Sequence, residues 1–162
     1  MVQTAMTGLP ADTSGEPPAP AKLVIRRVGV IGLGNMGHAL AANLVEDGYP
    51  VLVFDQDRER ATALQSTGAF AAAGLGELAA CDVVVSSLPN DDALSAVALG
   101  PEGLVAILAR GAVHVSTSTV SPSISRRVAE EHARHGQDYV AAPVLGNPDF
   151  AHGGFAGRHV ED

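Results

Sequence analysis

The 162-residue chain is 46% hydrophobic and 17% charged, enough apolar material for one buried core at a length that suits a single domain. A formal net charge of −8 repels nucleic-acid backbones, and 4% aromatics with no Trp leave little for base stacking, which argues against a nucleic-acid partner. No apolar run approaches the roughly 20 residues that cross a bilayer, the N-terminus lacks the pattern of a signal peptide, and a single cysteine, Cys81, excludes an internal disulfide, so a cytoplasmic protein without a membrane partner is expected.

Residues 1–22 are rich in proline and glycine with scattered Ser and Thr, a composition expected to form a disordered tail. The chain then turns apolar and β-branched from Lys22 to Ile31, a strand, and runs into Gly32, Gly34 and Gly37 in a G-x-G-x-x-G pattern. Glycine at those places lets the chain turn sharply, lets a diphosphate approach the backbone, and lets the following helix lie close to the strand. A helix is expected over Asn35 to Asp47, with Met36, Leu40 and Leu44 four apart, stopped by Gly48. Val51 to Phe54 reads as the next strand. It ends in Asp55, 21 residues after Gly34, where dinucleotide-binding units place an acid that accepts hydrogen bonds from the adenosine ribose. The competing reading is that Asp55 caps the helix at Arg58 to Ser66 or sits in a solvated turn. A carboxylate there repels the 2′-phosphate of NADP, while Arg58 and Arg60 are placed to attract it.

Further on, Gly74 to Ala80 reads as a short helix, Asp82 to Ser87 as a buried strand, Leu88 to Asn90 as a loop, and Asp91 to Leu99 as a helix with acids in its first turn. Gly100-Pro101 breaks that helix, and Leu104 to Leu108 is a short apolar segment. Ala112 to Ser116 is the next strand. Ser121-Pro122 then opens a helix to His135, and Tyr139 to Val144 is the last strand. Strands alternating with helices imply an α/β domain with a parallel sheet covered on both faces, spanning residues 23–150 and followed by an irregular tail at 151–162. Ligands of such sheets lie beyond the carboxyl ends of the strands.

Four motifs in order, G-L-G-N-M-G at Gly32 to Gly37, L-P-N-D at Leu88 to Asp91, S-T-V-S-P at Ser118 to Pro122 and A-P-V-L-G at Ala142 to Gly146, resemble those of the β-hydroxyacid dehydrogenases. That family includes 3-hydroxyisobutyrate dehydrogenases and tartronate semialdehyde reductases, and its cofactor domain resembles that of 6-phosphogluconate dehydrogenase. The resemblance implies a doubly wound Rossmann domain binding NAD or NADP. By position it places Leu33, Asn35 and Met36 on the diphosphate, Leu88 and Pro89 on the adenine-ribose side, and Thr119 on the nicotinamide ribose. Ser118 falls on the family's substrate-binding serine, and Gly146 on a glycine whose N–H meets the substrate carboxylate.

Departures from the pattern matter equally. Asp55-Gln56 stands where NADPH-dependent members carry Asn-Arg, which favours NAD; NADP stays open. Leu145 and Asn147 stand where the family has a serine and a second glycine, which leaves the substrate undefined. The family's all-helical C-terminal domain, with its catalytic lysine, has no counterpart here; the only lysine is Lys22. The resemblance therefore implies a truncated dehydrogenase, inactive alone, that would need a helical domain to act on a small hydroxy acid. A non-catalytic dinucleotide-binding module is the alternative, and self-association as a homo-oligomer stays open. No residue stands in for the lysine: His114 reads as packed or partly exposed on its strand, His38 as facing a neighbouring helix, His132 and His135 as a solvated helix face without a third metal ligand, and Asp91-Asp92 as a helix start. Ser86, Ser87 and Ser116 to Ser118 lack a nucleophile elbow.

Overall fold

The computed structural model describes residues 25–144. The expected tails, the beginning of the first strand at Lys22, and Leu145, Gly146 and Asn147 lie outside them.

Within those residues the alternation holds. Strand β1 (Val28–Ile31) leads to α1 (Asn35–Glu46), β2 (Val51–Phe54), α2 (Arg58–Leu64) and a two-residue β3 (Phe70–Ala71). A 3-10 turn at Leu75–Ala80 carries the chain to β4 (Val83–Ser86), α3 (Asp91–Leu99), α4 (Leu104–Ile107), β5 (Val113–Ser116), α5 (Pro122–Arg134) and β6 (Asp138–Ala141). The sheet order is β3-β2-β1-β4-β5-β6, and every pair is parallel. This is the Rossmann order, with two strand-helix arms running outward in opposite directions from β1 and β4.

Each element has a local cause. The four strands β1, β2, β4 and β5 are valine-rich, and β-branched side chains suit a pleated surface buried on both sides. Val30, Val51 and Val53 are completely buried, each contributing about 1.5–2 kcal/mol by removal from water. They meet Ala41 of α1 and Ala61 and Leu64 of α2 on one face. On the other face, Ile31 and Val84 meet Leu78 of the 3-10 turn and Leu104 and Leu108 around α4, while Leu94, Ala98 and Val128 join α3 to α5. Gly48 ends α1 with φ +86°, and Asn90 caps α3 by accepting the Ala93 N–H at 2.9 Å.

Three sequence expectations differ from the structure. Strand β3 has only two residues and no apolar period to betray it. The last strand begins at Asp138 and ends at Ala141, short of the expected Val144. In α1 the fully buried positions are Gly37, Ala39 and Ala41, not the Met36–Leu40–Leu44 stripe, because small residues let this helix approach the sheet closely.

Candidate functional site: the carboxyl ends of the strands

The glycine turn divides its work among three residues. Gly32 has φ +81°, a left-handed conformation, and a Cβ there would stand 2.2 Å from the Ser87 carbonyl oxygen. A Cβ on Gly37 would stand 1.7 Å from the Gly32 carbonyl oxygen, so this residue sets the contact between α1 and β1. Gly34 is different. Nothing lies within 4 Å of where its Cβ would be, so the space beside its backbone is open.

That open space lies at the start of α1. The first N–H groups of a helix have no intrahelical acceptor, and side chains normally satisfy them. Asp57 does so for α2, Asn90 for α3 and Ser121 for α5, and α2 and α3 also carry acids in the first turn. Helix α1 has neither: its cap is Gly34, without a side chain, and its first turn holds Asn35, Met36 and Gly37. A helix start that combines free donors and positive dipole with an open glycine approach is suited to an anion.

Asp55 turns towards this start. Its Oδ2 accepts the Leu33 N–H at 2.7 Å and its Oδ1 accepts the Asp57 N–H at 2.8 Å, with a side chain only 12% exposed. The cap of α2 is Asp57, which accepts the Glu59 N–H at 3.1 Å, so Asp55 is not the capping residue. A carboxylate offers about four acceptor positions; the two backbone donors leave capacity for hydroxyls. Arg60 lies between the two acids, 3.3 Å from Asp57 and 3.9 Å from Asp55. The Leu33 side chain is buried in the core, so this residue presents backbone only. Asn35 is exposed and Met36 half-buried.

On the other side of the sheet's midline, the loops after β4 and β5 are bonded together. The Leu88 N–H donates to Ser118 Oγ at 2.8 Å, and the Thr117 N–H and hydroxyl both donate to the Ser86 carbonyl, at 2.9 and 3.0 Å. Because Ser118 accepts from Leu88, its own hydroxyl hydrogen remains free to donate. Asp91 accepts the Ser121 N–H at 2.9 Å and the Ser121 hydroxyl at 2.5 Å. The Ser121 hydroxyl, then its N–H, hold the Asp91 carboxyl below the usual range. Pro89 and Thr119 are exposed on these loops, and Leu88 is half-buried.

Behind the loops runs a buried polar chain. The Gln137 amide nitrogen donates to the carbonyls of Leu108 at 2.7 Å and Val105 at 3.2 Å, which turns its oxygen to His132 Nδ1 at 2.7 Å. His132 Nδ1 therefore carries the hydrogen. Its Nε2 then accepts from His114 Nδ1 at 2.9 Å, and His114 Nε2 accepts the Ser86 hydroxyl at 2.8 Å. Both rings are fully buried and neutral: burial, then the neighbouring His132, pushes His114 down to about 3, and burial likewise holds His132 below its ordinary value. Of the two expected placements for His114, packed or partly exposed, the structure has it packed. His132 is not on a solvated face: its ring lies in the core while His135 points outward, so the two cannot share a metal. Ser116 Oγ is the one buried side-chain polar atom without a partner among the described residues.

The remaining reactive side chain, Cys81, does not suit a proton acceptor for an alcohol. The Cys81 thiol is buried, which raises it to about 11. Among the described residues no three His, Cys, Asp or Glu side chains converge on a metal position, and no helix is long and apolar enough to cross a membrane.

Comparison with known proteins bears on this arrangement. A family described as the NAD binding domain of 6-phosphogluconate dehydrogenase matches residues 27–157. An uncharacterized oxidoreductase of Bacillus subtilis, YfjR, is 42% identical over 127 residues, 77% of this chain and 44% of the relative. Among solved structures, Psf3 in complex with NADP+ and 2-OPP superposes with a TM-score of 0.75 at 33% identity, over 78% of this chain and 45% of that one. The 3-hydroxyisobutyrate dehydrogenase of Mycobacterium tuberculosis, solved with L-serine, gives 0.73 at 28% identity, over 80% and 44%. The chain thus spans less than half the length of each of these proteins.

Proposed function

The chain belongs to the family of the NAD-binding domain of 6-phosphogluconate dehydrogenase, and from that premise we propose that it holds a nicotinamide dinucleotide across the carboxyl ends of β1, β2, β4 and β5, as part of a β-hydroxyacid dehydrogenase. The observation that carries the reading is the start of α1, uncapped by any side chain and open beside Gly34. The diphosphate meets the N–H groups of Asn35 and Met36 there, with Gly32 and Gly37 shaping the turn and the Leu33 N–H tying it to Asp55. Asp55 accepts the adenosine ribose hydroxyls, Leu88 and Pro89 flank the adenine-ribose half, and Thr119 meets the nicotinamide ribose. NAD is favoured over NADP, since Asp55 faces the 2′ position and Arg60 is already held between Asp55 and Asp57.

A bound nicotinamide supplies or accepts the hydride at its C4 atom. On the substrate side, Ser118 has a hydroxyl hydrogen to offer a carboxylate, and Gly146, outside the described residues, is placed beside it by motif alone. Oxidising a hydroxy acid also requires a group that takes the hydroxyl proton. The described residues supply none, which favours a chain that binds the cofactor and is inactive by itself.

Calorimetric titration of the purified chain with NAD and NADP tests the first part: saturable binding with NAD preferred is expected, and Gly34→Val should weaken it at least a hundredfold, about 3 kcal/mol. Unchanged affinity in that variant would refute the placement of the diphosphate. Turnover of 3-hydroxyisobutyrate, glycerate or tartronate semialdehyde by the chain alone would refute the inactivity.

A further inference from the structure

Asp91 stands in the L-P-N-D motif after β4 and Ser121 in the S-T-V-S-P motif after β5, 30 residues apart in sequence. The structure brings them together through two bonds to one carboxylate, one from the Ser121 N–H at 2.9 Å and one from its hydroxyl at 2.5 Å. Charge-assisted bonds of this kind are among the stronger ones available at a surface. Position adds to this. Asp91 is the first residue of α3 and Ser121 the cap of α5, so one negative charge serves two helix starts, while Ser121 Oγ accepts the Ile124 N–H only over a long 3.4 Å and has the Ser123 hydroxyl 2.9 Å away. The Ser121 hydroxyl is therefore turned chiefly towards Asp91. Just ahead of each partner in sequence lie the segments that the proposed function places on the cofactor: Leu88 and Pro89 before Asp91, Ser118 and Thr119 before Ser121.

We propose that Asp91, acting through Ser121, is a positioning residue that fixes the spacing of the β4 and β5 loops, and so holds Ser118 and Thr119 in register with the nicotinamide half of the dinucleotide. The inference rests on the dinucleotide reading given above. Its distinguishing consequence is asymmetry. The ADP-ribose half depends chiefly on the glycine turn and Asp55, which the Asp91–Ser121 clasp does not touch, with Leu88 and Pro89 only flanking it, whereas the nicotinamide half depends on Ser118 and Thr119, on the loop that Ser121 ends.

Titration of the full chain with NAD and with ADP-ribose separates the two. The wild-type chain is expected to bind NAD more tightly than ADP-ribose. Asp91→Ala and Ser121→Ala should each weaken NAD about tenfold while leaving ADP-ribose within twofold, and Ser121→Thr, which keeps the hydroxyl, should restore NAD affinity. Asp91→Asn, which retains an acceptor and the helix start, guards against loss of folding and should fall between Asp91→Ala and wild type. Equal weakening of both ligands, or no change in either, overturns the positioning role while leaving the dinucleotide site intact. Equal wild-type affinities for NAD and ADP-ribose overturn it as well, and failure of the wild-type chain to bind either ligand removes the dinucleotide reading and this inference together.

Discussion

Around β1 and β2 the core is dry: Val30, Val51, Val53, Ala41, Ala61 and Leu64 pack with no polar side chain among them, and α1 begins without a cap or an acid. Around β4 and β5 a line of polar groups from Ser86 through His114 and His132 to Gln137 crosses the interior, and the starts of α3 and α5 are tied by Asn90, Asp91 and Ser121. Both arms are the same strand-helix unit. An unsatisfied helix start is tolerable only where solvent or a ligand reaches it, and the start of α1 is where the proposed function puts the diphosphate. The second, apart from the unpartnered Ser116 hydroxyl, satisfies its buried polar side chains internally and thereby fixes loops that would otherwise be free to move. The proposed anion site and the loop framework are, on this reading, separate pieces of physics that meet only at the sheet's midline.

The sharpest way to break this division is within the glycine turn itself. Gly37→Ala would drive a Cβ to 1.7 Å from the Gly32 carbonyl oxygen, so α1 must lift from β1. A loss of about 3 kcal/mol or more is expected in chemical denaturation. Gly34→Ala meets nothing within 4 Å and should cost under about 1 kcal/mol, chiefly from a poorer cap residue. Comparable losses in the two variants would show that the turn is not divided into a packing glycine and an open one.

In the second arm, Gln137→Leu keeps the volume but strands the carbonyls of Val105 and Leu108 and the His132 Nδ1 hydrogen. Buried polar groups left unpaired cost about 1–3 kcal/mol each, and partial relaxation makes roughly 2–4 kcal/mol the expected total. A urea midpoint unchanged from wild type would mean that the polar chain contributes no structure.

The same chain makes the fold acid-sensitive. The unfolded rings titrate near 6.5, whereas His114 takes its proton only near 3 and His132 also below the ordinary value. Below pH 6.5 the unfolded chain therefore binds protons that the native rings refuse. Their contribution is complete above that pH and is lost as pH falls, for His114 towards 3, at about 1.4 kcal/mol per unit for a ring fully in its window. Replacing the pair with His114→Val and His132→Leu should flatten the profile of denaturant stability against pH. A profile as steep as wild type would place the sensitivity on other groups.

The two arms also differ in how far the sequence disclosed them. Strand runs such as Val51–Phe54 and the helix Asp91–Leu99 are bounded by glycines, prolines and caps, and local chemistry of that kind is visible in one dimension. The glycine turn and Asp55 are legible for the same reason: a fixed spacing within one strand-helix-strand unit. The burial of His132 was not. It lies on α5, whose polar face reads as a solvated surface, and its partners His114 and Gln137 come from β5 and the turn beyond α5. Only the parallel pairing of β4, β5 and β6 brings them together. Likewise Asp91 reads as a helix start, which it is, but its bonds to Ser121 depend on two loops meeting across the sheet.

The smallest effect expected concerns which dinucleotide the first arm prefers. Arg60 is 53% exposed and lies 3.3 Å from Asp57, itself 51% exposed, an ion pair of the kind worth at most about 1 kcal/mol. Asp57 also caps α2 through the Glu59 N–H, so Asp57→Asn removes the charge and keeps an equally good cap. The guanidinium, freed from one of its two acids, then turns towards Asp55, where the proposed function puts the ribose 2′ position. The ratio of NADP to NAD affinity should rise about threefold to fivefold, within the limit set by an exposed pair. Adding Arg60→Gln to that variant should return the ratio to its starting value. If the ratio rises equally with and without Arg60, the gain comes from lost repulsion at Asp57 alone, and Arg60 has no part in discriminating the two cofactors.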